Sequence, residues 1–180
     1  LREDVLWNDG YPFTADDVVF TFNDLIYNDT VPSSSRDIFT IDDQPFDVLK
    51  IDDYTVQFRL PVKFAPFLRA MGQPILPKHR LLQAVRDGKF NFTWGIDTPP
   101  EDIVGTGPFK LAQYRPGERI VLQRNERYWQ RSAEGDALPY LDRIIFLIVQ
   151  NQDVEILKFF DGDIDYCVIS RGNDYPLLQP

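Results

Sequence analysis

Cysteine, histidine and methionine are nearly missing, with one of each in 180 residues. A single thiol, Cys167, forbids an intrachain disulfide and any all-cysteine metal centre. A single imidazole, His79, removes histidine-rich zinc sites and paired-histidine mechanisms. Positive charge is also in short supply: 19 Lys and Arg face 28 Asp and Glu, a formal charge of −9 with a pI near 4.5. Affinity for nucleic acid comes largely from neutralising phosphates, so this balance excludes a general nucleic-acid binder. Long apolar runs are lacking as well. The longest, Ile144 to Val149, has six residues, against the roughly 20 that a membrane-spanning helix needs. No direct membrane insertion is expected of this chain.

What is present suits a packed domain. Hydrophobic residues make up 43% and aromatics 14%, enough for a sizeable core and too apolar for a disordered chain. The length fits one domain, or one with an appendage. The chain opens Leu1-Arg2-Glu3-Asp4, which reads as a mature protein or an excised piece of one. There is no internal repeat and no low-complexity tract.

The clearest local signal is Phe13-Thr14-Ala15-Asp16-Asp17-Val18. Thr14 is placed to cap a helix, and Asp17, three residues on, to reach back to the cap's N–H. Phe13 and Val18 occupy the two positions of a hydrophobic staple. A helix from about Ala15 to Tyr27 then carries Val18, Phe22, Leu25 and Ile26 as one apolar stripe. Residues 28 to 37, with Pro32 and three serines, read as an exposed loop. Val48 to Ile51 and Tyr54 to Leu60 predict a hairpin, with Val56, Phe58 and Leu60 on its buried face.

Phe64, Phe67, Leu68 and Met71 have helical spacing that ends at Gly72, and Pro77 opens a second helix ending before Gly88. Residues 91 to 100 show no period and read as loop. Phe109 to Tyr114 and Arg119 to Arg124 flank Pro116-Gly117, the central pair of a type II turn. Arg143 to Gln150 reads as a buried strand, Asp153 to Phe160 as a helix stopped by Gly162, and Ile164 to Ile169 as a closing strand. Apolar flanks around Cys167 predict a buried, inert thiol. The class is mixed α+β, with an α/β-like unit near the C-terminal end.

Chemistry-bearing patterns fail one by one. Asp161, Asp163 and Asp165 match the first positions of a calcium loop, but Tyr166 and Gly172 stand where glycine and glutamate are required. Gly105-Thr106-Gly107 lacks the third glycine and the following helix of a dinucleotide fingerprint, so it reads as a turn with special φ values. No G-x-S-x-G elbow occurs. His79, among Lys78 and Arg80, reads as the start of a surface helix rather than a base. The sequons at Asn28 and Asn91 are short enough to arise by chance.

The segment Trp7-Asn8-Asp9-Gly10-Tyr11-Pro12-Phe13-Thr14-Ala15-Asp16-Asp17-Val18 resembles the signature of family 5 extracellular solute-binding proteins, the oligopeptide- and dipeptide-binding components of ABC importers. Further ordered motifs share the likeness. Pro74 to His79 resembles the family's proline–lysine segment, and Val104 to Leu111 its G-T-G-P-[YF] strand. Arg119 to Trp129 resembles its R-N-x-x-Y-W motif, and Leu138 to Asp142 with Gly162 to Asp165 its later pieces. Members are considerably longer than this chain and fold into two lobes.

The resemblance implies a partial lobe of a two-lobed, periplasmic-binding-protein-like (type II) fold. Residues 1–80 would be an extra subdomain of the first lobe, and 81–180 part of its main α/β subdomain, with exposed sheet edges. It implies no cofactor and no catalysis, a peptide or similar small solute as ligand, and membrane permease subunits as partners. The location implied is extracytoplasmic, periplasmic or cell-surface, with a lipid anchor on an absent N-terminus as one form. Trp7, Tyr128 and Trp129 read as core. Ligand contacts are expected from loops, with Arg36, Phe39, Gly72, Gln73 and Thr106 as candidates. Arg36 would pair with a ligand carboxylate. Two other readings stay open: a hydrolase using paired carboxylates, and an interaction domain without small-molecule cargo.

Overall fold

The computed structural model describes residues 1–169 and 171. Helix α1, Ala15–Val19, continues into a π-helical stretch, Phe20–Ile26, in which the Tyr27 N–H reaches the Phe22 carbonyl at 2.9 Å. A small hairpin follows, β1 (Thr40–Ile41) with β2 (Gln44–Pro45), and then a longer one, β3 (Asp47–Asp52) with β4 (Thr55–Arg59). Helices α2 (Phe67–Ala70) and α3 (Lys78–Arg86) lead to a meander of β5 (Phe109–Arg115), β6 (Arg119–Arg124) and β7 (Arg143–Leu147), paired antiparallel in that order. Helix α4, Gln152–Phe160, is capped by the Asn151 side chain, which accepts the Val154 N–H at 3.0 Å. The architecture is mixed α+β.

Both long hairpins form where local spacing put them. In β4 the even positions, Val56 and Phe58, are half-buried while their neighbours are exposed. At the β5–β6 turn Gly117 takes φ 72°, and the Glu118 N–H closes on the Arg115 carbonyl at 3.1 Å. That positive φ at the third turn position is the one a type II turn reserves for glycine.

The first helix does not present one stripe. Val18, Phe22 and Ile26 join Phe39, Phe46 and Val48 in one cluster, whereas Leu25 turns with Phe20 to Val31 and Leu81 in another. The wider π winding puts residues five apart, Phe20 and Leu25, on a common side. Two cores are therefore served by one helix. Edge-to-face rings fill the first: Phe22 meets Phe39 at 4.9 Å and Phe58 at 5.1 Å between centroids. Helix α3 runs across residue 80 and delivers Leu81 to the second cluster. Residue 80, the expected boundary, lies within α3.

The C-terminal half departs from the expectations. The strand read as buried is β7 at the edge of its sheet, with Ile145 49% and Phe146 52% exposed. A strand is covered only when something lies over it, and among the described residues nothing covers these side chains. Residues 164–169 form no strand. Val168 spends its backbone on α4 side chains, its N–H on Glu155 at 3.1 Å and its carbonyl on Gln152 at 3.1 Å. Without cover Cys167 is half-buried rather than buried. Gly105 and Gly107 are not left-handed. Their value lies in open carbonyls, which accept the Asn8 N–H at 2.9 Å and the Asn125 side-chain amide at 2.8 Å.

Candidate functional site

The opening segment, Trp7 to Val18, forms a brace. Asp17 is 4% exposed, and its carboxylate accepts three N–H groups: Thr14 backbone at 3.0 Å, Trp7 indole at 3.2 Å and Lys78 backbone at 2.9 Å. The capping box closes through this Asp17 half. The Thr14 hydroxyl faces the Asp17 N–H without strict hydrogen-bond geometry, and that N–H goes to the Thr14 carbonyl at 3.1 Å. Four residues on, Thr21 donates to the Asp17 carbonyl at 2.8 Å and accepts the Leu76 N–H at 2.9 Å. Together these fix the 74–78 segment against the first helix. Trp7, 2% exposed, is core as expected, while Tyr128 and Trp129 are half-buried, Trp129 lying 4.3 Å beneath the Arg2 guanidinium.

Two concavities lie on the N-terminal half. One, of about 490 Å³, is bordered by Tyr11, Asp16, Lys78 and His79. Its charges are already spent. Asp16 bridges Lys50 at 2.5 Å and Lys78 at 2.8 Å, and these two ammonium groups hold its carboxyl below the usual range. Asp9 lies just behind, bonded to His79 Nε2 and Arg80 Nε, each at 2.8 Å. Burial pushes the Asp9 carboxyl up, but His79 and Arg80 outweigh it and the net direction is down. A general acid needs the opposite shift, so neither carboxylate is tuned for that role. His79 stacks on Tyr11 at 4.2 Å. Its imidazole joins two segments and stands where a helix begins, as expected.

The other concavity, of about 380 Å³, brings together three of the five predicted ligand residues. Phe39, Gly72 and Gln73 line it with Ile38, Phe64 and Arg69. Gln73 is held in place by the Ser35 hydroxyl at 2.8 Å. Phe39 is 1% exposed, so its ring serves as floor. Under that floor Tyr27 donates to the Phe39 carbonyl at 3.0 Å and accepts the Phe46 N–H at 3.1 Å. Burial raises this phenol to about 12, partly offset by the Phe46 N–H. The hydroxyl therefore stays protonated and keeps its donor role.

Arg36 and Thr106 are elsewhere. The Arg36 guanidinium closes the end of the first helix, donating to the carbonyls of Ile26 at 2.7 Å, Asn28 at 2.5 Å and Val31 at 3.0 Å, with Asp29 at 3.3 Å. Those orphan carbonyls are what a helix C-terminus leaves for a cation. Thr106 sits half-buried in the junction between Asn8 and Asn125. Arg69 was not singled out in the sequence. Nothing local distinguishes it from other surface arginines.

With this geometry in view, comparison with known proteins is informative. Residues 1–179 match the profile of the bacterial extracellular solute-binding proteins, family 5. A probable ABC transporter-binding protein of Deinococcus radiodurans is 31% identical, over 92% of this chain and 29% of its own length. The periplasmic oligopeptide-binding protein OppA of Salmonella typhimurium is 30% identical, over 92% of this chain and 31% of its own. In structure the chain is similar to the oligopeptide-binding protein AppA of Bacillus subtilis in complex with a nonapeptide. The TM-score is 0.78 at 28% identity, covering 98% of this chain and 32% of that one. The chain thus spans about a third of the length of these relatives. Its mixed fold is a part of their two-lobed fold. From its first residue to its 179th, the chain belongs to the family 5 bacterial extracellular solute-binding proteins.

Proposed function

We propose that the whole protein captures a peptide or similar small solute outside the cytoplasm and delivers it to the permease subunits of an ABC importer, with no covalent chemistry. The observation that carries this reading is the family match over residues 1–179, on a fold that superposes along 98% of its length with a peptide-bound receptor. The ion-paired state of Asp9 and Asp16 agrees with binding rather than catalysis. A lipid anchor on a preceding segment belongs to the same proposal.

Two units make up the chain in this reading. The first comprises the two cores around the first helix and extends through α3, so its limit lies beyond residue 80. The second is the β5–β7 meander with α4, to be completed by other parts of the lobe. Gly72 and Gln73, with the Phe39 floor, face ligand. Arg36 shapes that wall by closing the helix end, and Thr106 sets the junction between the units.

In a two-lobed receptor the ligand is enclosed only when both faces are present. Native mass spectrometry of the full-length protein should show co-purified solute. Calorimetry with that solute should then give a dissociation constant at least ~100-fold weaker for residues 1–180 alone, about 2.7 kcal/mol. Equal constants would place the whole site in this chain and overturn the two-lobed reading.

A further inference from the structure

Arg69 differs from most cations on this surface. Arg2, Arg36, Arg59, Arg80, Arg115 and Arg124 each hold a carboxylate. The Arg69 guanidinium has no hydrogen-bond or ionic partner among the described residues, although the protein carries a net charge of −9. Arg69 is one of the residues that line the 380 Å³ concavity, and the others are uncharged. The walls at Ile38, Phe39 and Phe64 are apolar. That volume is at the lower end of ligand pockets, ~300–1,000 Å³, and suits one amino-acid residue rather than a length of chain.

We propose that this concavity is a subsite for a free carboxylate next to an apolar side chain, as at the C-terminal residue of a peptide. The identification rests on the peptide-receptor reading above. Arg69 supplies a planar fork that matches a carboxylate. The side chain enters against Phe39 and Phe64. Gln73, anchored by Ser35, borders the same mouth, and Gly72 puts no side chain in the way. An amine-terminated or amidated residue gains nothing from Arg69, so the subsite discriminates by charge.

Titration of the 180-residue chain with N-acetyl-L-phenylalanine, its amide and N-acetylglycine, followed by NMR shifts of residues 38–73, tests this. The free acid should bind at least tenfold more tightly than the amide, and more tightly than N-acetylglycine. Raising the salt concentration should shrink the acid–amide gap, because an exposed pair is screened. Arg69→Gln should bring the two within twofold, and Arg69→Lys should keep part of the preference. Equal binding of acid and amide by the wild-type chain overturns the proposal without any variant. So does a preference that survives in Arg69→Gln. Because the probes are single residues, a negative result leaves solute capture by the full-length protein intact, and the two readings fail separately.

Discussion

Replacing Asp17 by alanine is the sharpest perturbation of this fold. Its carboxylate is 4% exposed and satisfies the Thr14 and Lys78 N–H groups and the Trp7 indole. A hydrogen bond to a charged group is worth ~1.5–3 kcal/mol net, and stranding its buried partner costs a comparable amount. Three such bonds do not sum, because they share one carboxylate and because removing a buried charge returns its desolvation cost. We expect Asp17→Ala to cost about 3–4 kcal/mol, at the upper end of single substitutions. In a chain of this size that lowers Tm by roughly 6–16 °C. Thr14→Ala, which touches the weaker half of the box, should cost about 0.5–1 kcal/mol. Urea denaturation followed by tryptophan fluorescence checks both, since Trp7 is 2% exposed and loses its partner directly. A loss below about 1 kcal/mol for Asp17→Ala, or equal losses for the two variants, would refute the brace.

Arg36→Met keeps the stem of the side chain but strands the carbonyls of Ile26, Asn28 and Val31. It should lower stability by about 1.5–3 kcal/mol in the same denaturation assay, and a neutral outcome would return Arg36 to the ligand-facing candidates. The pH profile follows from Asp9 and Asp16, whose carboxyls lie below their ordinary values when folded. Their contribution is complete above the unfolded value of about 4 and is lost as pH falls through the lower folded values. Urea midpoints should therefore drop below about pH 4, and the drop should be shallower in Lys50→Met/Lys78→Met. An identical slope in that variant would show that these pairs do not set acid stability.

Local chemistry sufficed wherever a residue's partner lies within a few positions. Thr14 with Asp17, Pro116-Gly117 between two alternating segments, Gly162 after α4 and Gly88 after α3 all act over one turn, so their elements were legible from spacing. Family membership was legible as well, because ordered motifs survive in sequence even when their physical role is hidden. Distance in the chain is where legibility ended. Asp17 meets Lys78 61 positions away, and Ser35 meets Gln73 38 away. Neither pairing leaves a periodic trace. Arg36 looks like any loop arginine until the helix end folds back beside it. The apolar run at β7 signals a strand, but whether that strand is covered depends on what packs over it, which no local pattern encodes. Short-range spacing determined the helices and hairpins, and the ordered motifs carried the family resemblance. Burial, the brace at Asp17 and the meeting of Phe39, Arg69, Gly72 and Gln73 in one concavity were decided only by the tertiary structure, because each depends on segments whose approach is set by the whole chain's packing.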